Sequence, residues 1–454
     1  MTLSLPRRRL VGAVLSLTLV LPLLLASAAA TAAGGPPESV RFATFNASLN
    51  RAAEGLALSD LSEPFDPLEP DASLRLRRHQ AANVAEVIQR VRPEVLLINE
   101  FDYIDGPVDG NAMTDAFRQN YLEVGQNGAA PIEYPYVFVA PSNTGIASGF
   151  DLNNDGQIVT TPGAPGYGDD ALGFGNFPGQ FGMAVFSQHP IDYGSARTFQ
   201  RFLWKDMPGA LLPDDPATPG EDADWYSDDE LDIFRLSSKS HWDVPIDVNG
   251  TTVHFLASHP TPPVFDGPED RNGTRNHDEI RLWADYVTPG AGDYICDDPR
   301  DDGTRICGGL KPGEKFVIAG DQNSDPLDGD SIPGSIQQLI EHPRVNTKVT
   351  PDSEGAADEA VRQGRLNNDH ASDPRFDTAD FNDAAPGNLR ADYVLPSRNL
   401  RIADAGVFWP LRTDPLFRLT GIFDFAWIEV GGFPTSDHRL VWIDVMIPGS
   451  ARGS

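Results

Sequence analysis

The chain is 454 residues long and carries 35 lysines and arginines against 66 aspartates and glutamates, a formal net charge of −31. Hydrophobic residues make up 40% and charged residues 22%, so disorder throughout is excluded and a sizeable core can form. The acidic balance argues against a basic surface that grips nucleic acid by displacing counterions, and two cysteines are too few for a disulfide scaffold or a structural zinc site.

Residues 1–33 read as an export signal. Arg7, Arg8 and Arg9 precede an apolar run from Leu10 to Leu25, and Ala26 to Ala33 offers small residues for cleavage. The arginines also suit a twin-arginine signal. The run falls short of the about 20 apolar residues a membrane span needs. A secreted mature chain with no transmembrane span is therefore expected, and export makes a Cys296–Cys307 disulfide the expected state of the two cysteines.

From residue 38 to residue 447, short β-rich runs alternate with a few helical ones. Ser39 to Ala47 has a strand pattern, and Leu74 to Val91 sets apolar residues on one helical stripe that Pro93 stops. Glu94 to Glu100 is a nearly continuous apolar run, as in a strand covered on both faces. Further strands are expected at Tyr136 to Ala140, Gly182 to Ser187, Ile233 to Lys239, Thr251 to His259 and Lys315 to Ala319, and then at Asp392 to Leu395, Ile402 to Val407 and His438 to Val445. A helix is expected to begin at Asn276, where Asn276 and Glu279 have capping-box spacing. Stretches 141–180, 205–230 and 351–389, rich in Gly, Pro or acids, read as loop insertions in a single catalytic domain.

Polar residues recur where apolar runs end: Asn46, Glu100, His259, Asp321 with Asn323, Asp392, and Asp437 with His438. Strand ends of stacked sheets converge on one rim, so these residues can meet without being close in sequence. Their order, with Gly320-Asp321-Gln322-Asn323 and Ser436-Asp437-His438, resembles the endonuclease/exonuclease/phosphatase superfamily, the deoxyribonuclease I-like fold. The resemblance implies an α+β, four-layer α/β/β/α sandwich of two mixed β-sheets flanked by helices. It implies a phosphoester hydrolase that uses a divalent metal, Mg2+ or Mn2+, and in-line attack of water. By that resemblance Glu100, Asn46 and Asp437 hold the metal, Asp321 is the base and Asn323 holds water or a phosphate oxygen. His438, oriented by Asp392, faces the phosphate as a cation, and His259 donates to phosphate or leaving group.

Lys239 or His241 would add a phosphate contact, although a solvated hairpin also accounts for that run. Asp151, Asn153 and Asp155 have the first half of a calcium loop, with Asp169 or Asp170 as a further ligand, while Pro162 stands where an EF-hand needs Glu; a polar turn explains them too. The expected partner is a phosphoester, whether nucleic acid, lipid headgroup or small ester, with no stable protein partner. The competing classes are an extracellular nuclease and a non-catalytic binding protein that keeps the fold.

Overall fold

A computed structural model describes residues 1–2, 38–218, 224–300 and 302–449, and the export-signal reading of residues 1–33 falls almost wholly outside them. Thirteen strands are described. In chain order they begin with β1 (Glu38–Asn46), β2 (Val95–Asn99), β3 (Tyr136–Phe138), β4 (Met183–Ser187), β5 (Arg197–Thr198), β6 (His241–Val248) and β7 (Thr251–Ser258). They continue with β8 (Lys315–Asp321), β9 (Ala379–Asp380), β10 (Asn388–Leu389), β11 (Asp392–Pro396), β12 (Arg401–Val407) and β13 (Val441–Ile447).

One sheet has the order β12-β13-β1-β2-β4-β3 and the other β11-β8-β7-β6-β5, while β9 and β10 form a separate pair. Both large sheets are mixed: β1 runs parallel to β2 and antiparallel to β13, and β7 runs parallel to β8 and antiparallel to β6. Strand alternation builds the layers. Val40 and Phe42 of β1, Val95 and Leu97 of β2, Val253 and Phe255 of β7, and Val317 and Ala319 of β8 all enter one core shared by the two sheets. Their neighbours Phe45, Leu96 and Ile98 pack outward under the helix Ala72–Val91, and Leu256, Phe316 and Ile318 pack outward under the helix Arg271–Val287. The result is helix, sheet, sheet, helix.

The two long helices also hold loops in place. Asp71 caps the first by accepting from the Ser73 and Leu74 amides, and left-handed Arg92 ends it before Pro93. From its buried face, Gln80 Nε2 donates to the Ser48 and Thr435 carbonyls and Asn83 Nδ2 to that of Pro434. These bonds fix the approach to Asp437.

The second helix corrects a sequence reading. It begins at Arg271, so Asn276 and Glu279 lie mid-helix and fully buried rather than at a cap. Asn276 Nδ2 donates to the Thr261 and Gln322 carbonyls, and the Glu279 carboxylate accepts from the Ser238 and Thr261 amides, 2.6 Å each.

Ile233 to Lys239 is not a strand. The carbonyls of Arg235 and Leu236 are taken by the Arg275 guanidinium instead of a sheet neighbour. The strand lies just beyond, at β6, where Trp242, Val244, Ile246 and Val248 alternate into the inter-sheet core. The stretch 351–389 is more than loop: it holds the helix Glu354–Gln363 and the β9/β10 pair. Cys296 and Cys307 are disulfide-bonded. Among the described residues, no helix is long and apolar enough to cross a membrane.

Candidate active site

Strand parity assembles the site. Residues 42, 95, 255 and 319 face the inter-sheet core, so Asn46, Asn99, His259 and Asp321, an even number of residues further on, continue that inner face to the rim. Asp392 shares the parity of core residue Val394 on β11. Gly320 lets β8 approach β7: a Cβ there would lie 1.9 Å from the Ser258 carbonyl oxygen, and its φ is +151°. Glu100 follows β2 in the left-handed region at φ +57°, a conformation disfavoured for a residue with a side chain.

The resulting cluster is continuous. Asn46 Nδ2 donates to Glu100 Oε1 and to Asp321 Oδ2, 3.0 Å each, so one amide clamps two carboxylates. The Asp321 amide donates to Asn99 Oδ1 at 3.3 Å. His259 Nε2 lies 3.4 Å and His438 Nε2 3.6 Å from the same Asp321 Oδ2. His438 Nδ1 is 2.8 Å from Asp392 Oδ2. Asn323, at φ +51°, donates its amide N–H to Asp321 Oδ1 and its Nδ2 to the Pro260 carbonyl. Glu100, Lys239, His259, Asp321, Asn323, Asp437 and His438 line one cleft of about 1590 Å³, and Asp392 stands behind His438.

Charge is divided within this cluster. Burial would keep Asp321 protonated, but His438 and His259 outweigh it and hold the carboxyl below the usual carboxylate range. Burial would also neutralise His438, but Asp392 and Asp321 raise its imidazole well above the ordinary value, so it is a cation. His259 is the opposite case: burial, then Lys239, lowers it to about 4, so it is neutral. Desolvation and the neighbouring Asp437 and Asp321 raise Glu100. Asp321, Asp392 and His438 each place a ligand atom within 4.8 Å of the others. Oxygen donors gathered in a partly desolvated centre, with the Glu100 carboxyl raised by its neighbours, fit a hard divalent cation.

His241 and the run that holds it depart from expectation, while the calcium-like loop takes the form of a polar turn. His241 is no phosphate contact: it is fully buried, Nδ1 lies 2.6 Å from Ser237 Oγ and Nε2 2.9 Å from the Glu279 carbonyl. The Ser237–His241 run is buried throughout, so it is not a solvated hairpin. In the calcium-like loop, Asp151 accepts from the Asp155 and Gly156 amides, Asn153 from Asp155, and Asp155 from Gln157. Those bonds close the turn with the loop's own amides, and buried Asp170 braces it by accepting from Leu152 and Val159.

Two residues escaped the sequence reading. Asn50 Nδ2 donates to Glu100 Oε2 at 2.7 Å, making a second amide grip on that carboxylate. Thr378 Oγ1 donates to Asp392 Oδ2 at 2.8 Å and accepts from the Ala391 and Asp392 amides. The repeat of Asn four residues after Asn46 was the only signal for the first. Thr378 sits in the acidic insertion and gave none.

The model of the Endonuclease/Exonuclease/phosphatase family matches residues 43–438, which take in the rim residues from Asn46 to His438. The chain belongs to this family. It is thereby a metal-dependent phosphoester hydrolase by class, with the two-sheet sandwich described above. No curated protein matches it.

Solved structures similar to it include an endonuclease/exonuclease/phosphatase from Beutenbergia cavernae, at 17% identity and TM-score 0.42, covering 90% of this chain and 72% of that one. Sphingomyelinase C from Streptomyces griseocarneus is similar at 13% identity and TM-score 0.38, covering 90% and 99%. A Staphylococcus aureus beta toxin variant with bound magnesium ions is similar at 12% identity and TM-score 0.38, covering 89% and 99%.

Proposed function

We propose that this protein is a secreted hydrolase that splits a phosphoester by in-line attack of water, with Mg2+ or Mn2+ at the rim. The observation that carries the reading is the pairing of cationic His438 with ionised Asp321 above the Asp392 carboxylate. Glu100 and Asp437 are the residues to hold the cation, with Asn46 and Asn50 fixing Glu100. The bound ion supplies positive charge that polarises the phosphoryl group and steadies the leaving oxygen.

The protein's own groups do the rest. Asp321, kept ionised, accepts a proton from the attacking water, whose oxygen forms the new bond to phosphorus. The bond from phosphorus to the departing alcohol oxygen breaks, that oxygen takes a proton from solvent water, and Asp321 returns its proton to solvent. His438, already charged, meets a phosphoryl oxygen with its Nε2–H. Neutral His259 has one ring nitrogen facing Asp321, and its buried Nδ1 has no hydrogen-bond partner among the described residues. Secretion is supported by the Arg-led apolar N-terminus and by the Cys296–Cys307 bond.

The test is turnover of bis(p-nitrophenyl) phosphate and p-nitrophenyl phosphate by the secreted chain with Mg2+, with Mn2+ and with chelator. Metal-dependent release that Glu100→Ala lacks is expected. Equal release by that variant removes the assignment.

A further inference from the structure

We propose that the cleft selects phosphodiesters of a cationic amino alcohol, the choline and ethanolamine class, over polynucleotides. This rests on the hydrolase reading above and adds its substrate class. A polynucleotide-binding groove needs unoccupied lysines or arginines tracking successive phosphates. Here the cleft arginines are occupied by the protein. Arg51 is paired with Asp60 at 2.7 Å and donates to the Asn50 carbonyl, Arg271 is paired with Glu269, and Arg275 donates to the Leu172, Arg235 and Leu236 carbonyls. Lys239 is the exception. It is 7% exposed, lines the cleft, and its ammonium makes no hydrogen bond to any described residue. One free buried cation beside the catalytic rim serves one phosphate.

The wall beyond that phosphate has the opposite sign. Asp325, Asp328, Asp330 and Asp369 line it, and Asp328 joins its two segments by accepting from the Ala371 and Ser372 amides, 2.9 Å each. The Asp330 and Asp369 carboxylates are exposed and accept no hydrogen bond from the described residues. The wall therefore presents two solvent-facing carboxylates, Asp330 and Asp369, that its own amides leave unsatisfied.

Phe381 stands beside His438 in the same cleft. Its ring centroid lies 5.2 Å from that of His438, edge-on. An aromatic ring and free carboxylates in the walls of one cleft are the chemistry that recognises an alkylammonium group. A second polynucleotide phosphate would meet this wall with like charge. A trimethylammonium or ammonium group carried by the same ester would find carboxylates and a ring in the cleft wall.

Three chromogenic diesters with one leaving group test this: p-nitrophenyl phosphocholine, bis(p-nitrophenyl) phosphate and the p-nitrophenyl ester of thymidine 5′-phosphate, each with the secreted chain and Mg2+. The choline ester is expected to show a kcat/KM at least about tenfold above the thymidine ester. That ratio should fall at least about fivefold in the Asp330→Asn, Asp369→Asn double variant. Equal turnover of the choline and thymidine esters overturns the substrate class while leaving the hydrolase reading intact; no turnover of any of them overturns the hydrolase reading.

Calorimetric titration with phosphocholine and with inorganic phosphate judges the subsite without catalysis. Tighter binding of phosphocholine is expected, and equal affinity overturns the proposal. Vesicles of phosphatidylcholine and soluble glycerophosphocholine then separate the source. Cleavage of the first assigns a lipid and of the second a soluble ester, and cleavage of neither overturns the class.

Discussion

The end of β7 and the approach to β13 each bring a histidine to the same oxygen, Asp321 Oδ2, at 3.4 and 3.6 Å, yet the two rings carry different charge. Burial disfavours the imidazolium at both. What separates them is the next neighbour: an ammonium, Lys239, beside His259, and a carboxylate, Asp392, behind His438. Protonation within a shared pocket is therefore set by groups that need not touch the substrate, and a pair of identical side chains becomes a neutral donor and a fixed cation.

The sharpest way to break this contrast is to remove the charged member. His438→Ala, like Glu100→Ala or chelation of the metal, is expected to cut diester hydrolysis by more than about a thousandfold while the thermal midpoint stays within a few degrees. Steady-state rates read beside a melting curve check it. Asp392→Asn tests the neighbour rather than the ring. It keeps the shape but takes away the countercharge, and kcat should fall about a hundredfold with KM changed less. A variant that kept full kcat would show that the Asp392 charge does not matter.

Asn50→Ala leaves the charges in place and frees one oxygen of Glu100. The dissociation constant for Mn2+, followed by calorimetry, should rise about tenfold. The smallest effect belongs to a third histidine that lies outside the cleft.

His241 is held neutral by burial, its pKa lowered from the ordinary 6.5 to about 4. The folded state takes up a proton less readily than the unfolded one, so this contribution is full above pH 6.5 and is lost as pH falls toward 4. It amounts to ~3 kcal/mol at most. His241→Gln should be less stable than the parent at pH 7 but lose less between pH 6.5 and pH 4, measured by urea midpoints across that range.

How much of this was legible in the sequence depends on whether a residue's role follows from its own strand. Asn46, His259, Asp321 and Asp392 each end or begin an apolar run, and inner-face parity brings them together. β6 went unread because Pro245 interrupts it. The structure tolerates that proline at the thinly covered edge, where β5 pairs only Arg197 with Asp243 and Thr198 with Trp242. Asn276 and Glu279 had the spacing of a cap, but no local pattern reveals that the Thr261, Gln322 and Ser238 backbones need their side chains. Asn50 and Thr378 act on residues 50 and 14 positions away, and such pairings exist only after folding.

The short segment around Thr378 has a wider consequence. Its Thr378 amide donates to the Leu389 carbonyl, Ala379 bridges to His438, and the Asp380 amide donates to the Asp437 carbonyl. The tail of the acidic insertion is thus a splint laid between the chain segments that carry Asp392 and His438. Shortening residues 351–389 to streamline the protein would slacken the catalytic alignment from behind, so any graft or deletion there should leave Asp377 to Asp392 untouched.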